Sequence, residues 1–270
     1  GDFMEIINLC NKIINANKYN ISELLKENIY SSIIEKIYLI PKKIDKNSIE
    51  AKLKETNYIN KILNTINYYK DKNIEELIKS KINQYELETS YKIDGGKLYV
   101  IIGLDTTTIY STKIDNKDIT VLLLESTDGI ESSLDILLAH EYTHFVRKQI
   151  FNKDIFENSI GERFITEGIG CNYSREVVPG KEDYEYCIVK EEIVNWVKDN
   201  IDKLEKHMKN KVDTNELMSD YFYMHSKAEV TGLPSRTGYV YGYLYVKNYL
   251  GKNNVTIKDI LAKEWHEIFR

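Results

Sequence analysis

Residues Leu137-Leu138-Ala139-His140-Glu141-Tyr142-Thr143-His144-Phe145-Val146 place a His-Glu-x-x-His motif inside an apolar run that favours a helix. Two histidines four residues apart lie on one helix face, a turn apart, so both imidazoles can reach a single metal ion. Glu141 projects about 100° further round the helix than His140, where it can serve as a general base. The stretch therefore predicts a catalytic zinc site, most simply that of a peptidase.

Chance is a poor explanation of this motif. The chain has five histidines among 270 residues, and the pattern should arise by chance in on the order of 1% of such chains. Capping signals at Asp128 to Glu131 and at Ser132-Ser133 predict that a helix begins near residue 129 and extends to about 150. We expect one buried stripe on this helix, made of Leu134, Leu138, Tyr142 and Phe145. Two surface or core histidines are the alternative interpretation of the motif.

A catalytic zinc ion needs a third protein ligand and leaves a fourth position for water. Glu167, in Phe164-Ile165-Thr166-Glu167-Gly168-Ile169-Gly170, is the preferred candidate. Glu162 is the alternative, and Glu167 as a solvated helix residue is another. Gly168 and Gly170 would let a second helix approach the motif helix closely.

The downstream sequence also excludes one zinc class and suggests a link between helices. No histidine follows His144 until His207, so the three-histidine pattern H-E-x-x-H-x-x-G-x-x-H is absent. Arg147, one turn past His144, is expected to pair with an acidic neighbour and position the two helices. His207 and His266 are expected at the surface.

Composition limits the classes of partner. The net charge is −5, and Lys, Asp and Glu are interspersed, so neither nucleic acid nor anionic lipid is an expected partner. No run approaches the ~18 apolar residues of a membrane span, so we expect a soluble globular protein. Cytoplasmic localisation is the default expectation, with secretion or processing from a longer precursor as the alternative.

Cys10, Cys171 and Cys187 form no C-x-x-C pair and are expected to be buried free thiols.

The spacing of apolar residues along the chain changes near residue 93. Apolar residues recur at helical spacing from Asp2 to about Lys92, with a break at Ile40-Pro41 and amphipathic segments at about 47–69 and 73–90. We interpret residues 1–93 as a helical N-terminal portion and residues 94–270 as the catalytic domain.

Short segments rich in β-branched and aliphatic residues follow the turn signal Asp94-Gly95-Gly96 and predict a small sheet. The predicted strands span about 98–103, 107–112 and 119–125. If the last is an edge strand that borders the cleft, it would bind an extended peptide by strand addition; an ordinary core strand is the alternative. Further helices are predicted from near Glu162 and at about 181–208, 214–225, 238–250 and 256–268.

Three of these stretches together resemble a known group of enzymes. They are His140-Glu141-Tyr142-Thr143-His144-Phe145-Val146-Arg147, Thr166-Glu167-Gly168-Ile169 and Gly238-Tyr239-Val240-Tyr241-Gly242-Tyr243. They resemble the gluzincin metallopeptidases, and in particular a bacterial family of predicted Zn-dependent proteases, domain of unknown function 2268, over about residues 95 to 260. The resemblance implies a predominantly helical, zincin-like α+β fold with a small mixed sheet before the motif helix. It also implies that His140, His144 and Glu167 are zinc ligands and that Glu141 is the base.

The chain departs from the gluzincin pattern at one position, where a residue would orient a zinc-binding histidine. Many gluzincins have an Asp four residues beyond the glutamate ligand to orient a zinc histidine, whereas this chain has Cys171 there. We therefore expect another carboxylate or a backbone carbonyl to orient the imidazoles.

A donor to the tetrahedral oxyanion is also required. The candidates are Tyr239, Tyr243, Arg236 and His225, the last with Asp220 at a spacing that resembles thermolysin-like enzymes. The predicted function is hydrolysis of a peptide or protein substrate by water activated on one zinc ion. The alternatives are a zinc-binding regulatory or binding module with weak or no activity, and a zinc hydrolase that acts on a non-peptide amide or ester.

Overall fold

The computed structural model describes residues 4–9, 32, 47–48, 51, 54–103, 108–114, 116–125, 130–153, 159–222 and 232–270. The chain forms two compact units: unit 1 comprises residues 1–81 and 94–133, and unit 2 comprises residues 82–93 and 134–270. The boundaries of these units differ from the predicted boundary between residues 93 and 94. Whether residues 1–93 and 94–270 are separate domains stays a prediction.

Unit 1 contains a four-stranded mixed sheet. Its strands are β1 (Glu5–Asn8), β2 (Lys97–Ile102), β3 (Thr108–Ile114) and β4 (Lys117–Leu124), in the order β1-β2-β4-β3. β1 and β4 pair with β2 in parallel, and β3 pairs with β4 antiparallel. The small mixed sheet predicted before the motif helix is confirmed. β1 corrects the prediction that the N-terminal portion is entirely helical, because it pairs with residues far along the chain that local periodicity does not show.

β4 lies inside the sheet, between β2 and β3, so its backbone groups pair on both sides. The proposed strand addition at β4 is therefore wrong. Val121, Leu122, Leu123 and Leu124 are fully buried, as expected for an internal strand covered on both faces. The apolar run that suggested a peptide-binding edge is thus part of the core of unit 1.

Between β1 and β2, the described residues 54–96 form α1 (Thr56–Lys70) and α2 (Ile74–Thr89). α1 buries Tyr58, Ile62 and Ile66, which are spaced by one helical turn. The helix predicted at 73–90 is confirmed as α2, and α1 covers the later part of the segment predicted at 47–69. The break at Ile40-Pro41 and the helical pattern of residues 21–37, apart from residue 32, lie outside the described residues.

The rest of the described chain is helical. Its helices are α3 (Ile130–Phe151), α4 (Ile160–Val177), α5 (Asp183–Cys187), α6 (Glu191–Asp199), α7 (Ile201–Met208), α8 (Met218–Phe222), α9 (Thr237–Asn253), α10 (Ile257–Ile260) and α11 (Trp265–Ile268). The single helix predicted over 181–208 is wrong, since α5, α6 and α7 replace it. Ile188, at φ 55° and ψ 46°, adopts the left-handed conformation and ends α5. Asn200 leaves helical geometry between α6 and α7. The last predicted helix is likewise divided into α10 and α11.

α4 is the central helix of unit 2, because every residue from Ile160 to Ser174 is buried. α3 is also buried on several sides, since Ile136, Leu137 and Val146 are buried as well as the predicted Leu134, Leu138 and Tyr142. Phe145, predicted in the buried stripe, is only partly buried. A single apolar stripe therefore underestimates how deeply this helix lies in the protein.

Glycines let α4 and α9 touch through their backbones. A Cβ atom at Gly168 would lie 2.2 Å from the carbonyl oxygen of Gly242, and one at Gly242 would lie 2.1 Å from that of Phe164. Gly168 was predicted to bring α4 close to the motif helix, and the structure shows that it serves the contact with α9 instead. Any larger residue at either position would force the two helices apart.

Arg147 holds α3, α4 and the chain after α10 together. Its guanidinium donates to Thr166 Oγ1 at 3.2 Å and to the carbonyl oxygens of Leu261 and Lys263 at 3.0 and 2.8 Å. Burial lowers its pKa to about 10, so it stays charged at neutral pH. The predicted positioning role fits these contacts, but the hydrogen-bond partners are carbonyls and a hydroxyl rather than an acidic side chain.

Within the described residues, no helix combines the length and the apolar content needed to cross a membrane.

We expect Gly242→Ala to lower the free energy of unfolding by roughly 1 to 3 kcal/mol, because the new methyl group overlaps the α4 backbone. Gly251→Ala is the matched control: it changes the same helix where a Cβ meets nothing within 4 Å, and helix propensity predicts a gain of about 0.5 to 1 kcal/mol. Urea unfolding of both variants measures the difference. Equal stability of the two variants would contradict the packing argument.

Asp183 links α5 to α9 and makes part of the stability of unit 2 depend on pH. It accepts hydrogen bonds from Tyr243 at 2.6 Å and from Lys198 at 2.9 Å. Burial raises its pKa, but these hydrogen bonds and Lys247 outweigh that effect and lower the pKa to about 2. The stabilisation is therefore complete above the unfolded-state pKa of about 4 and is lost as the pH falls through about 2.

We expect Asp183→Asn to lower the free energy of unfolding at pH 7 by roughly 1 kcal/mol, after allowance for solvent screening. The difference from wild type should shrink as the pH falls from 4 toward 2, and urea unfolding at several pH values measures it. A difference that stays constant across this range rules out the electrostatic explanation.

Candidate metal centre

Three side chains from α3 and α4 converge in unit 2. His140 Nε2 lies 2.9 Å and His144 Nε2 lies 3.3 Å from Glu167 Oε2. One ligand atom from each residue lies within 4.8 Å of the others. The i, i+4 spacing on α3 brings the imidazoles edge to face, with centroids 4.6 Å apart and an interplanar angle of 83°, and the buried α4 carries the carboxylate next to them.

The donor set fits a zinc ion. Ligand atoms that are ~2.0–2.2 Å from a tetrahedral zinc lie roughly 3.3–3.6 Å from one another. The separation between His144 Nε2 and Glu167 Oε2 is 3.3 Å, and the 2.9 Å between His140 Nε2 and Glu167 Oε2 is the length of a hydrogen bond. The three ligand atoms all lie within 4.8 Å of one another, so two nitrogens and one oxygen are available to one ion.

The electrostatics of the cluster favour a positive charge. Burial alone would raise the pKa of Glu167, but His144, Arg163 and the hydrogen bond to His140 hold it well below its ordinary value. Burial lowers the pKa of His140, yet Cys171 and Glu167 outweigh burial and raise it. A buried site that keeps its carboxylate ionised and stabilises an imidazolium is suited to a cation.

Residues next to Glu167 on α4 support the His140 ring. A Cβ atom at Gly170 would lie 2.9 Å from His140 Nδ1, so only glycine lets the imidazole lie against α4. Cys171 Sγ lies 3.8 Å from the same nitrogen. Burial raises the pKa of Cys171, so the group beside His140 is a neutral thiol, rather than the carboxylate or backbone carbonyl expected from the sequence. His144 Nδ1 is buried and has no hydrogen-bond partner among the described residues.

Arg163 fixes the second oxygen of Glu167. Its Nε donates to Glu167 Oε1 at 3.0 Å, and its Nη2 donates to Tyr239 Oη at 3.4 Å. Its guanidinium also stacks on Phe222, 5.0 Å from the ring centroid. Sequence reasoning missed Arg163, although an arginine one turn before a glutamate on the same helix face was the available signal.

The candidate oxyanion donors lie in different surroundings. Tyr239 contacts Arg163, and Arg236 lies over the Tyr239 ring, 4.2 Å from its centroid. Tyr243 instead donates to Asp183, which ties its phenol to α5. His225 lies outside the described residues.

The other acidic and basic residues considered from the sequence are placed as follows. Glu162 pairs with Lys153 at 3.7 Å and does not belong to the cluster of three ligands. Glu141 is buried on α3 beside His140. The prediction that His207 is a surface residue is wrong, since it is only partly exposed and bonds Tyr221 Oη at 2.6 Å. His266 is exposed, as predicted.

A family of predicted Zn-dependent proteases, domain of unknown function 2268, matches residues 104–270 of the chain. The chain belongs to this family. The resemblance seen in the sequence is confirmed, and the region matched by the protease family contains His140, Glu141, His144, Glu167 and Tyr239. No curated protein and no solved structure matches the chain.

We expect Glu167→Gln to weaken zinc binding by more than about 100-fold, because it removes the anionic ligand of the cluster. Glu162→Gln is the matched control, since it removes a buried glutamate from the same helix and should leave the affinity unchanged. Competition with a zinc-binding dye measures both affinities. The assignment of Glu167 fails if the two variants bind zinc equally well.

Proposed function

We propose that the protein is a zinc-dependent peptidase in which His140, His144 and Glu167 hold a single zinc ion. The observation that carries the proposal is the convergence of these three buried side chains in a member of a family of predicted Zn-dependent proteases. The substrate is a peptide or protein, and the reaction is hydrolysis of a peptide bond.

The chemistry divides between the ion and the side chains. Bound zinc lowers the pKa of water toward ~7 and polarises a carbonyl group. Glu141 removes a proton from the attacking water and delivers it to the leaving amine. Its place on α3 next to His140 supports this role, because a residue between two zinc-binding histidines projects beside the ligands.

Arg163 and Tyr239 complete the proposed site. Arg163 occupies Oε1 of Glu167, which leaves Oε2 directed at the histidines. Tyr239 donates its phenolic hydrogen to the oxyanion that develops on the substrate carbonyl. Its hydrogen bond with Arg163 supports this role over that of Tyr243, whose phenol donates to Asp183.

One observation favours a second candidate function, a zinc-binding module with little or no catalysis. The group at His140 Nδ1 is the neutral thiol of Cys171. A thiol is a weaker acceptor than a carboxylate, so it makes the coordinating imidazole less basic. The same arrangement is compatible with hydrolysis of a non-peptide amide or an ester.

We expect Glu141→Gln to retain zinc and to lose peptide cleavage by about 10²- to 10⁴-fold, because it removes the general base and keeps the shape of the side chain. Cleavage of a peptide library, read by mass spectrometry with metal analysis of each protein, tests this expectation. Chelation by 1,10-phenanthroline should abolish wild-type cleavage.

Two outcomes count against the proposal. Undiminished cleavage by Glu141→Gln rules out the mechanism. If wild type holds zinc but cleaves no peptide, the binding module or another hydrolase replaces the peptidase.

A further inference from the structure

Arg236 is a cation without an anionic partner in the described structure. It is partly buried, and its guanidinium makes no hydrogen bond or ion pair with the described residues; Nε is buried and unbonded. Its contact is with the Tyr239 ring, 4.2 Å from the ring centroid. A cation over the face of an aromatic ring is attracted to it, and this contact uses none of the guanidinium N–H groups as hydrogen-bond donors.

The other arginines of unit 2 that are at least partly buried differ in this respect, whereas Arg270 is exposed. Arg147 donates to backbone carbonyls and a hydroxyl, and Arg163 pairs with Glu167. Arg175 also has a buried Nε without a hydrogen-bond partner among the described residues, but it lies close to the Glu176 carboxyl, where its charge opposes the burial that raises the pKa of Glu176. Arg236 therefore has the charge and the geometry to bind an anion.

Further donors lie next to Arg236 along the chain, because it is the N-cap of α9. Arg236 is the N-cap of α9 and adopts the left-handed conformation, at φ 64° and ψ 16°, without a side-chain cap. Such strain persists in a non-glycine residue where the surroundings enforce it, often at ligand sites. Thr237 follows, fully buried, with Oγ1 unbonded. The first N–H groups of a 17-residue helix add a partial positive charge, which favours an anion.

Arg236 is connected to the metal cluster by a short series of contacts. The Arg236 guanidinium lies over the Tyr239 ring, and the Tyr239 hydroxyl accepts a hydrogen bond from Arg163. Arg163 in turn donates to the Glu167 carboxylate. A molecule whose anionic group is bound by Arg236 would therefore lie next to Tyr239, with its other atoms toward His140, His144 and Glu167. A peptide substrate has two kinds of anionic group, the C-terminal carboxylate and the side chains of Asp and Glu.

We propose that Arg236 binds a carboxylate of the peptide substrate, with its guanidinium held in place by the Tyr239 ring. The planar fork of a guanidinium matches the two oxygens of a carboxylate. This inference rests on the proposed peptidase function and adds a substrate class to it. Recognition of the C-terminal carboxylate makes the enzyme an exopeptidase, and recognition of an acidic side chain makes it selective for acidic sequences.

A binding experiment separates this proposal from catalysis. Zinc-loaded Glu141→Gln protein is immobilised and exposed to short peptides prepared in matched forms, with a C-terminal carboxylate or amide and with a central Glu or Gln. The retained peptides are counted by mass spectrometry. We expect one carboxylate form to be retained about 10-fold or more over its neutral partner, because a charge-assisted bidentate pair is lost in the neutral peptide. The form that is enriched identifies the source of the carboxylate.

Substitutions in the same background assign the preference to Arg236. Arg236→Gln should abolish it, and Arg236→Lys, which keeps the charge without the fork, should reduce it several-fold. Arg175→Gln is the matched control and should retain the full preference. Thermal unfolding shows whether each variant is folded, and Arg236→Lys serves for the test if Arg236→Gln is not.

The outcomes are separable. Equal retention of acidic and neutral peptides by the parent protein overturns the proposal, as does full preference in folded Arg236 variants. Cleavage of the same peptides by wild type tests the peptidase function independently, so selective binding without cleavage overturns catalysis and leaves carboxylate binding standing.

Discussion

The buried carboxylate of Glu167 is the group on which the rest of unit 2 depends. An ionised carboxylate away from water is costly unless charges and hydrogen bonds surround it. His140 and His144 lie at Oε2, and Arg163 donates to Oε1, so both oxygens are satisfied. Two of the residues that bury this charge, His140 and His144, also form with Glu167 the cluster that could hold a metal ion. The stability of α4 and the chemistry of the proposed site therefore have one physical cause.

Close helix packing brings these groups together. α4 is buried from Ile160 to Ser174, so its neighbours contact it on several sides. Gly168 and Gly242 allow α9 to lie against its backbone, and Gly170 makes room for the His140 ring. Because a rigid, densely packed helix transmits small displacements to its side chains, a methyl group added at such contacts would also disturb the ligands. Packing and ligand geometry are thus coupled along a single helix.

A row of side chains in contact with one another extends from the candidate ligands to the start of α9. Glu167, Arg163, Tyr239 and Arg236 follow one another through a salt bridge, a hydrogen bond and a cation–π contact. The row ends in a guanidinium with no anionic partner in the described structure, which is where an anionic substrate group would complete the charge pattern. Cys171, by contrast, presents a neutral thiol to His140 Nδ1.

The sequence by itself determined the features that arise from local spacing. The i, i+4 histidines of α3, the strands β2 to β4 and the helices α2 and α9 follow from periodicity and capping, which need no distant partner. It left Glu162 and Glu167 as competing ligands, and the i, i+4 spacing of Arg163 and Glu167 gained its meaning only from the burial of Glu167. The contacts of Arg163 with Tyr239 and of Gly242 with Phe164 join residues far apart in the chain. Only the tertiary structure decided these contacts, because helix packing brings distant residues together and local periodicity carries no information about it.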